Sequence, residues 1–314
     1  MRRLGAAAAA GALLLAFAPG AGADIPGATA GAFAPIDVGA RVLGLGGAGV
    51  VAERGAFAPY WNPANLAFLP ASEVAIDHAD LFGLGIARHT ELGLAWRRIP
   101  TRRVLRDGRL VEEPRGGQLG FGFELGVTTV DLDPETYTEL APAFSVAGRL
   151  ASGIGAGGTL RILRASSDLA GLSATGYALD LGLALDRGTA WSAGATAKNL
   201  VSTVSWSDDT SDHLPASLAV GAAYHGFPGL LLAAEATASE DHFPLERAHL
   251  GGEWRRDPLA LRAGLVLHQD RGEDRVEVTL GAGTRFRGLH LDYAYLGDNQ
   301  TLDSTHRLSL RLAF

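Results

Sequence analysis

The sequence predicts an all-β fold: a transmembrane antiparallel β-barrel of about 14 strands, with an N-terminal plug (hatch) segment inside the lumen. Three observations support this prediction. From residue 73 onward apolar and polar side chains alternate, the connections between the alternating segments are longer on one side than on the other, and residues 24–72 are apolar without alternation. Alternation with a period of two is typical of strands that have one apolar face.

The first 23 residues have the composition of a secretory signal peptide. Arg2 and Arg3 precede an apolar run from Leu4 to Ala18, and Ala21-Gly22-Ala23 supplies the small residues that signal peptidase accepts. The run is too short, and too rich in Ala and Gly, to cross a bilayer as a helix. We therefore expect a Sec-type signal peptide over residues 1–23, cleaved near Ala23, and a mature chain outside the cytoplasm.

Composition narrows the class of protein further. Cysteine is absent, which excludes disulfides and thiolate metal sites, and Lys198 is the single lysine. A net charge of -7 argues against a nucleic-acid partner. After the signal peptide no apolar stretch approaches 18 residues without a charge, so a helical membrane protein is excluded. A large soluble β-protein or an outer-membrane barrel remains.

Residues 24–72 form the predicted plug. The segment is dense in Ala, Gly and Pro, apolar enough to be buried, and too broken to form a strand. A barrel of fourteen strands encloses a lumen too wide for its wall side chains to fill. The lumen is therefore the natural place to bury this segment.

A glycine pattern inside the plug has two interpretations. Gly44, Gly46 and Gly49 match the G-x-G-x-x-G spacing of dinucleotide-binding folds, which need a preceding strand, a following helix and an acidic residue about 20 positions further on. The stretch NLAFLPA around residue 66 contains no acidic residue. We expect these glycines, together with Gly47, to let the plug backbone turn tightly and pack against the barrel wall.

The remaining residues, 73–314, are assigned to the barrel. Each predicted strand has about the 9 to 11 tilted residues that cross a bilayer, or more. The predicted strands are 73–81, 87–98, 117–130, 137–150, 153–165, 173–186, 190–201, 213–225, 229–239, 246–255, 258–268, 274–286, 288–296 and 304–314.

The connections between these strands differ between the two ends of the barrel. Those after odd-numbered strands are polar and mostly acidic, such as DLDPET and HQDRGED, whereas those after even-numbered strands are mostly tight, such as RRDP and FRG. Outer-membrane barrels have long extracellular loops and short periplasmic turns. Residues 97–117 break the pattern with an arginine-rich insertion, for which we expect a two-stranded flap: a docking surface for an anionic partner or a plain solvated hairpin.

The last strand supplies an insertion signal. Leu308, Leu310, Leu312 and Phe314 occupy alternate positions on one face, and Phe314 ends the chain. A terminal aromatic residue after alternating apolar residues resembles the signal that the bacterial outer-membrane assembly machinery reads. We expect this barrel assembly machinery and outer-membrane lipid as partners.

The opposite face of the strands carries charged residues and histidine into the lumen. Both signs of charge are present, so these side chains can pair with one another and with the plug; a lined path for a polar solute is the alternative. The candidates are Glu124, Asp180, Arg247, His249, Glu253, Arg255, Arg262, Arg275, Glu277, Asp292, Arg307 and Arg311.

Nothing in the sequence predicts an enzyme. The histidines are scattered along the chain and no segment resembles a nucleophile elbow. The acidic loops lack the spacing of a defined Ca²⁺ site. We expect no catalytic residue, no cofactor and no metal site.

Two motifs in the plug resemble a known family. In GARVLGLGGAGVVAERGAFAPYWNPANLA, residues 39–67, a G-A-R-x-x-G-x-G-G-A block precedes Tyr60-Trp61-Asn62-Pro63-Ala64. This order is similar to the N-terminal segment of the FadL-like superfamily. Barrel phrases such as AKNLV and LPASLAVGAAY resemble the PorV/PorQ branch of it in particular.

The resemblance implies an outer-membrane barrel with a plug. For the PorV/PorQ branch it implies an envelope interaction or secretion-associated protein that binds a protein partner or an exported substrate. The alternative is a FadL-like transporter for hydrophobic small molecules such as long-chain fatty acids. The predicted extracellular loops are short and contain no helical pair to form a capture site, so the sequence favours the protein-binding hypothesis.

Overall fold

The computed structural model describes residues 32–81, 84–106, 109–114, 117–131, 133–168, 171–186, 188, 190–240, 245–269, 274–297 and 304–314. For residues 102–106 and 109–114 it describes the backbone only. The predicted signal peptide and its cleavage near Ala23 lie outside the described residues. Within these ranges no helix combines the length and the apolar character needed to cross a membrane.

The predicted antiparallel barrel of about 14 strands is confirmed. Strand β1 pairs with β2 on one side and with β17 on the other, and β8 pairs with β9, so the sheet closes. The strands are β1 (Glu73–Leu81), β2 (Ala87–Arg98), β3 (Thr101–Arg106), β4 (Arg109–Pro114), β5 (Leu119–Asp131), β6 (Thr136–Ala151), β7 (Ile154–Ser167), β8 (Ser173–Asp186), β9 (Trp191–Trp206), β10 (Ser211–Asp212), β11 (Ser217–Tyr224), β12 (Leu230–Ser239), β13 (Arg247–Arg256), β14 (Leu259–Gln269), β15 (Asp274–Phe286), β16 (Leu289–Leu296) and β17 (Thr305–Ala313).

Three of these strands are not part of the fourteen-stranded barrel wall. The hairpin of β3 and β4 forms a separate two-stranded sheet, with Arg106 opposite Arg109, which confirms the flap predicted in the arginine-rich insertion. The two-residue strand β10 pairs only with the end of β9.

The two faces of the wall differ as alternation requires. On β17, Leu308 and Leu310 are 52% and 41% exposed, whereas Arg307 and Ser309 are 3% and 1% exposed. Exposed side chains alternate with less exposed ones in the same way along β14 and β16. The outer surface is therefore a continuous apolar band, which is costly in water and favourable in lipid.

The largest differences from the predicted strand ends occur on either side of one loop. Strand β9 extends to Trp206, beyond the predicted end at 201, because it stays paired with β8 through Ala174. Strand β11 begins at Ser217 rather than 213. Residues 213–216 instead fold against β9, where the Ser202 hydroxyl bonds both the N–H and the carbonyl of Leu214 at 2.9 and 3.1 Å. The Ser202 hydroxyl thus satisfies backbone groups of a segment that the sequence assigned to the next strand.

The plug fills the lumen with short helices: α1 (Ala40–Leu43), α2 (Gly49–Ala52), α3 (Ala58–Trp61) and a 3₁₀ helix (Pro63–Phe68). Its apolar side chains Val38, Leu45, Phe57 and Leu66 are fully buried. Helices of four residues are unstable alone, so contact with the wall holds them. The core of this protein therefore lies between the plug and the wall.

Candidate functional site

The plug glycines lie at points of close approach. At Gly46, where φ is +70°, a Cβ would lie 2.7 Å from the Leu250 carbonyl oxygen of the wall; at Gly49 it would lie 2.0 Å from the Trp61 ring. No nucleotide could enter contacts as short as these. The four glycines of the motif are all packed in this way: Gly44, Gly46, Gly47 and Gly49.

The second plug motif, Tyr60-Trp61-Asn62-Pro63-Ala64, joins the plug to the wall. The Asn62 amide donates to the carbonyl of Val50 at 3.1 Å and to that of Leu183 on β8 at 3.0 Å. Its side-chain oxygen accepts the Ala64 N–H at 3.0 Å and so caps the 3₁₀ helix that Pro63 begins. The Trp61 indole N–H donates to Val38 at 3.0 Å.

An ion network holds the other side of the plug. Glu253 of β13 contacts Arg41 at 3.0 Å and Arg262 at 2.7 Å. Arg262 continues to Asp292 at 2.8 Å, and Asp292 to Arg311 at 2.7 Å. The sequence placed the wall members of this network on the lumen face but missed Arg41, whose position in the first plug motif was the available signal.

Arg41 stays charged at the centre of this network. Burial lowers the pKa of its guanidinium, but the carboxylates of Glu253 and Glu53 outweigh burial, so its pKa lies above the usual value. Removing a partner from a buried cation of this kind is strongly destabilising, because the remaining charge is then buried without compensation.

The other candidate lumen residues occupy separate places. Glu124 accepts the Tyr60 N–H at 3.2 Å, Asp180 pairs with Arg161, and the His249 Nδ1 contacts the Gly46 carbonyl at 2.6 Å. The remaining positions are Arg307 paired with Asp77 at 2.6 Å, Arg247 near Glu246 at 3.4 Å, Glu277 near His268 at 3.2 Å, Arg255 near Glu253 at 2.9 Å, and a half-buried Arg275.

A cavity of about 730 Å³, which we call the outer cavity, occupies the lumen toward the end with the longer loops. Its wall includes the aromatic side chains Phe33, Tyr60, Trp61, Tyr137 and Trp206 together with charged groups such as Lys198, Glu235 and Arg247. Its volume is typical of sites that hold a small organic molecule. The sequence did not predict this cavity, because residues far apart in the chain line it.

Lys198 stands at the floor of the outer cavity. Strand β9 carries extra residues against β8 at this point, and the bulge includes Asn199 at a φ of +56°. The Lys198 ammonium lies 3.7 Å from the centre of the Tyr60 ring and 5.6 Å from that of Trp61. Both distances are typical of cation–π contacts.

Asp37 balances this cation from the plug. Burial raises the pKa of its carboxyl, but the positive charges of Arg247 and Lys198 outweigh burial and hold the pKa below its usual value. The ionised Asp37 accepts the Tyr60 hydroxyl at 2.8 Å. Burial and this anion together raise the pKa of Tyr60, so the phenol remains a donor.

Residues 32–37, here called the strap, separate the outer cavity from a smaller one of about 80 Å³, the inner cavity. Phe33 has a φ of +57°, an uncommon value for a bulky residue that costs on the order of 1–3 kcal/mol. Its ring packs against Leu163, Val204 and Leu214. Its N–H donates to Glu139 at 2.6 Å. Side-chain burial and one hydrogen bond thus stabilise a strained backbone.

The inner cavity is rich in acidic groups. Its lining includes Glu91, Glu124, Glu139 and Asp180. Within the described part of the chain, no three His, Asp or Glu side chains are placed to hold a metal ion.

Comparisons with known proteins place the fold. No protein-family model matches the chain, and no curated protein matches it. The Pseudomonas putida toluene transporter TodX superposes with a TM-score of 0.61 and 15% identity, over 88% of this chain and 98% of that chain. A Pseudomonas aeruginosa FadL homologue superposes with a TM-score of 0.51 and 14% identity, over 86% and 96%. These likenesses support the FadL-like fold; the PorV/PorQ assignment stays a prediction.

Proposed function

We propose that this protein is an outer-membrane channel that admits hydrophobic small molecules into its lumen. The observation that carries this proposal is the outer cavity of about 730 Å³, whose wall includes Tyr60, Trp61, Tyr137 and Trp206, inside a barrel whose outer face is apolar. The apolar band supports a location in outer-membrane lipid. The fold shared with TodX, a toluene transporter, supports the same class of cargo. This role requires no catalysis.

The strap is the point where the path opens. Both cavities include Phe33, Pro35, Tyr60 and Arg161 in their linings, so displacement of the strap joins them. The rest of the plug is fixed to the wall by Asn62 and by the ion network. Movement of the strap therefore costs less than removal of the whole plug.

Protein binding, favoured by the sequence, is the second candidate. One feature supports it: the β3–β4 hairpin is separate from the barrel sheet and carries an arginine-rich sequence. An anionic protein partner would dock there. The cavity makes the transport proposal the stronger of the two.

Uptake into proteoliposomes tests the channel proposal. The neutral fluorescent solute 1-N-phenylnaphthylamine should enter vesicles that contain this protein faster than it enters protein-free vesicles. Equal rates would reject the channel. A pull-down from outer membranes that recovers a stable protein partner, without such uptake, would favour the second candidate.

A further inference from the structure

The inner cavity has an excess of hydrogen-bond acceptors. Glu91, Glu124 and Glu139 line it, and none of the three has a Lys or Arg within 4.0 Å among the residues that the structure describes. The neighbouring Arg161 is paired with Asp180. A buried carboxylate without a cation is costly. It takes up a proton, or it receives a cationic partner from outside the protein.

A histidine adds a further unpartnered atom. His89 is 6% exposed and lines the inner cavity; its Nε2 forms no hydrogen bond and lies 3.5 Å from the Glu91 carboxylate. The other ring nitrogen, Nδ1, lies 3.0 Å from the Thr128 hydroxyl. When Nδ1–H donates to Thr128, Nε2 presents a lone pair. The inner cavity then presents several acceptors to a ligand that donates, while the guanidinium that lines it, Arg161, is paired with Asp180.

The outer cavity contains a further carboxylate without a cationic partner. Lys198 shows that the face of Tyr60 accepts an ammonium group at 3.7 Å. This lysine is balanced by Asp37, and Arg247 lies beside Glu246. Glu235 accepts the Val50 N–H at 2.9 Å and has no cationic partner within 4.0 Å in the described ranges. Aromatic faces and an unpaired carboxylate are a combination that attracts organic cations.

We propose that the cargo of this channel is a hydrophobic amine, positively charged and carrying N–H donors, in preference to a carboxylate of the same size. This inference rests on the proposed channel function. The ammonium group passes from Glu235 in the outer cavity to the carboxylates and His89 of the inner cavity, while the alkyl or aryl part contacts apolar surface. A carboxylate on the same path meets Glu91, Glu124 and Glu139 in the inner cavity, where the described residues place no Lys or Arg within 4.0 Å of these three groups.

Three ligands of equal chain length test the proposal: dodecylamine, dodecanol and dodecanoate, titrated at pH 7 into the full-length protein in zwitterionic nanodiscs, with protein-free nanodiscs subtracted. We expect dodecylamine to bind at least ten-fold more tightly than dodecanoate, with dodecanol between them. Equal affinities for the amine and the acid, or tighter binding of dodecanoate, would overturn the amine preference. If dodecanol still binds, the channel proposal stands in that case. No binding of any ligand would overturn both.

Substitutions test which carboxylates produce the preference for an amine. The double variant Glu91→Gln, Glu124→Gln should bring the affinity ratio of amine to acid close to one, and Glu139→Gln should reduce it. The control Glu277→Gln changes a carboxylate beside His268 on β15 that lines neither cavity, so it should keep the ratio. An unchanged ratio in a double variant that folds and binds dodecanol would contradict the assignment. If that variant fails to fold, the affinity ratio of Glu139→Gln is the test: a ratio equal to that of the unchanged protein would contradict the assignment.

Discussion

Single glycines allow the plug to pack closely inside the barrel. The Cβ of a Gly49→Ala variant would lie 2.0 Å from the Trp61 ring, and both partners belong to the buried plug. Overpacking of this kind costs about 1–3 kcal/mol. We expect Gly49→Ala to expose the plug to protease and to red-shift tryptophan emission. Gly252→Ala is the matched control, since its Cβ would meet only Leu232 at an ordinary 3.5 Å. Equal behaviour of the two variants would refute the packing argument.

Asp37 gives the strap a pH dependence. Its pKa is lower in the folded protein than the ordinary 3.8, so its contribution to stability is present above pH 3.8 and is lost as the pH falls through the folded value. We expect the emission of Trp61, measured in a variant that keeps only this tryptophan, to change in that acidic range. Asp37→Asn should lack the transition, whereas Asp208→Asn in an exposed turn should keep it. The same transition in Asp37→Asn would assign it to another group.

At the scale of elements, the strap is the weakest part of the plug. Phe33→Ala removes the ring that holds a backbone φ of +57° and opens the apolar contact between the two cavities. We expect a severalfold faster uptake of a neutral hydrophobic solute. Phe227→Ala is the control, because Phe227 lies exposed at the opposite end of the barrel. An unchanged or slower rate in Phe33→Ala would show that the strap does not limit entry.

The ion network anchors the remaining plug to four strands. Glu253→Gln leaves Arg41 and Arg262 without their shared carboxylate, and the loss of one partner from a buried pair costs about 3–5 kcal/mol. We expect the variant barrel to insert and to lose protease protection of the plug. Glu277→Gln should keep that protection. Full protection in Glu253→Gln would show that packing alone holds the plug.

How far the sequence predicts these elements depends on the kind of contact. Alternation on β17 specifies the face of Arg307 and Leu308 because the period of a strand is local. The plug motif marks Arg41 but does not specify its partner, since Glu253 is 212 residues away. The bulge at Lys198 also escaped prediction, because it is set by pairing with β8 and by the position of Asp180.

At the scale of the whole molecule, the wall and the plug depend on each other. The wall supplies polar partners to plug backbone groups, such as Ser309 to the Ala40 N–H at 2.7 Å and Thr279 to that of Gly46 at 3.0 Å. The plug in turn occupies part of a lumen that wall side chains cannot fill. Alternation, strand length and loop asymmetry are enough to predict this architecture. The cavities are not predictable in that way, because they are volumes left between segments that no sequence pattern relates.

The most direct test of the channel is a structure of the protein in lipid with 12-bromododecan-1-ol. We predict anomalous bromine density inside the lumen, in the outer cavity between Tyr60 and Trp206. Density confined to the apolar outer face of the barrel, with an empty lumen, would contradict it.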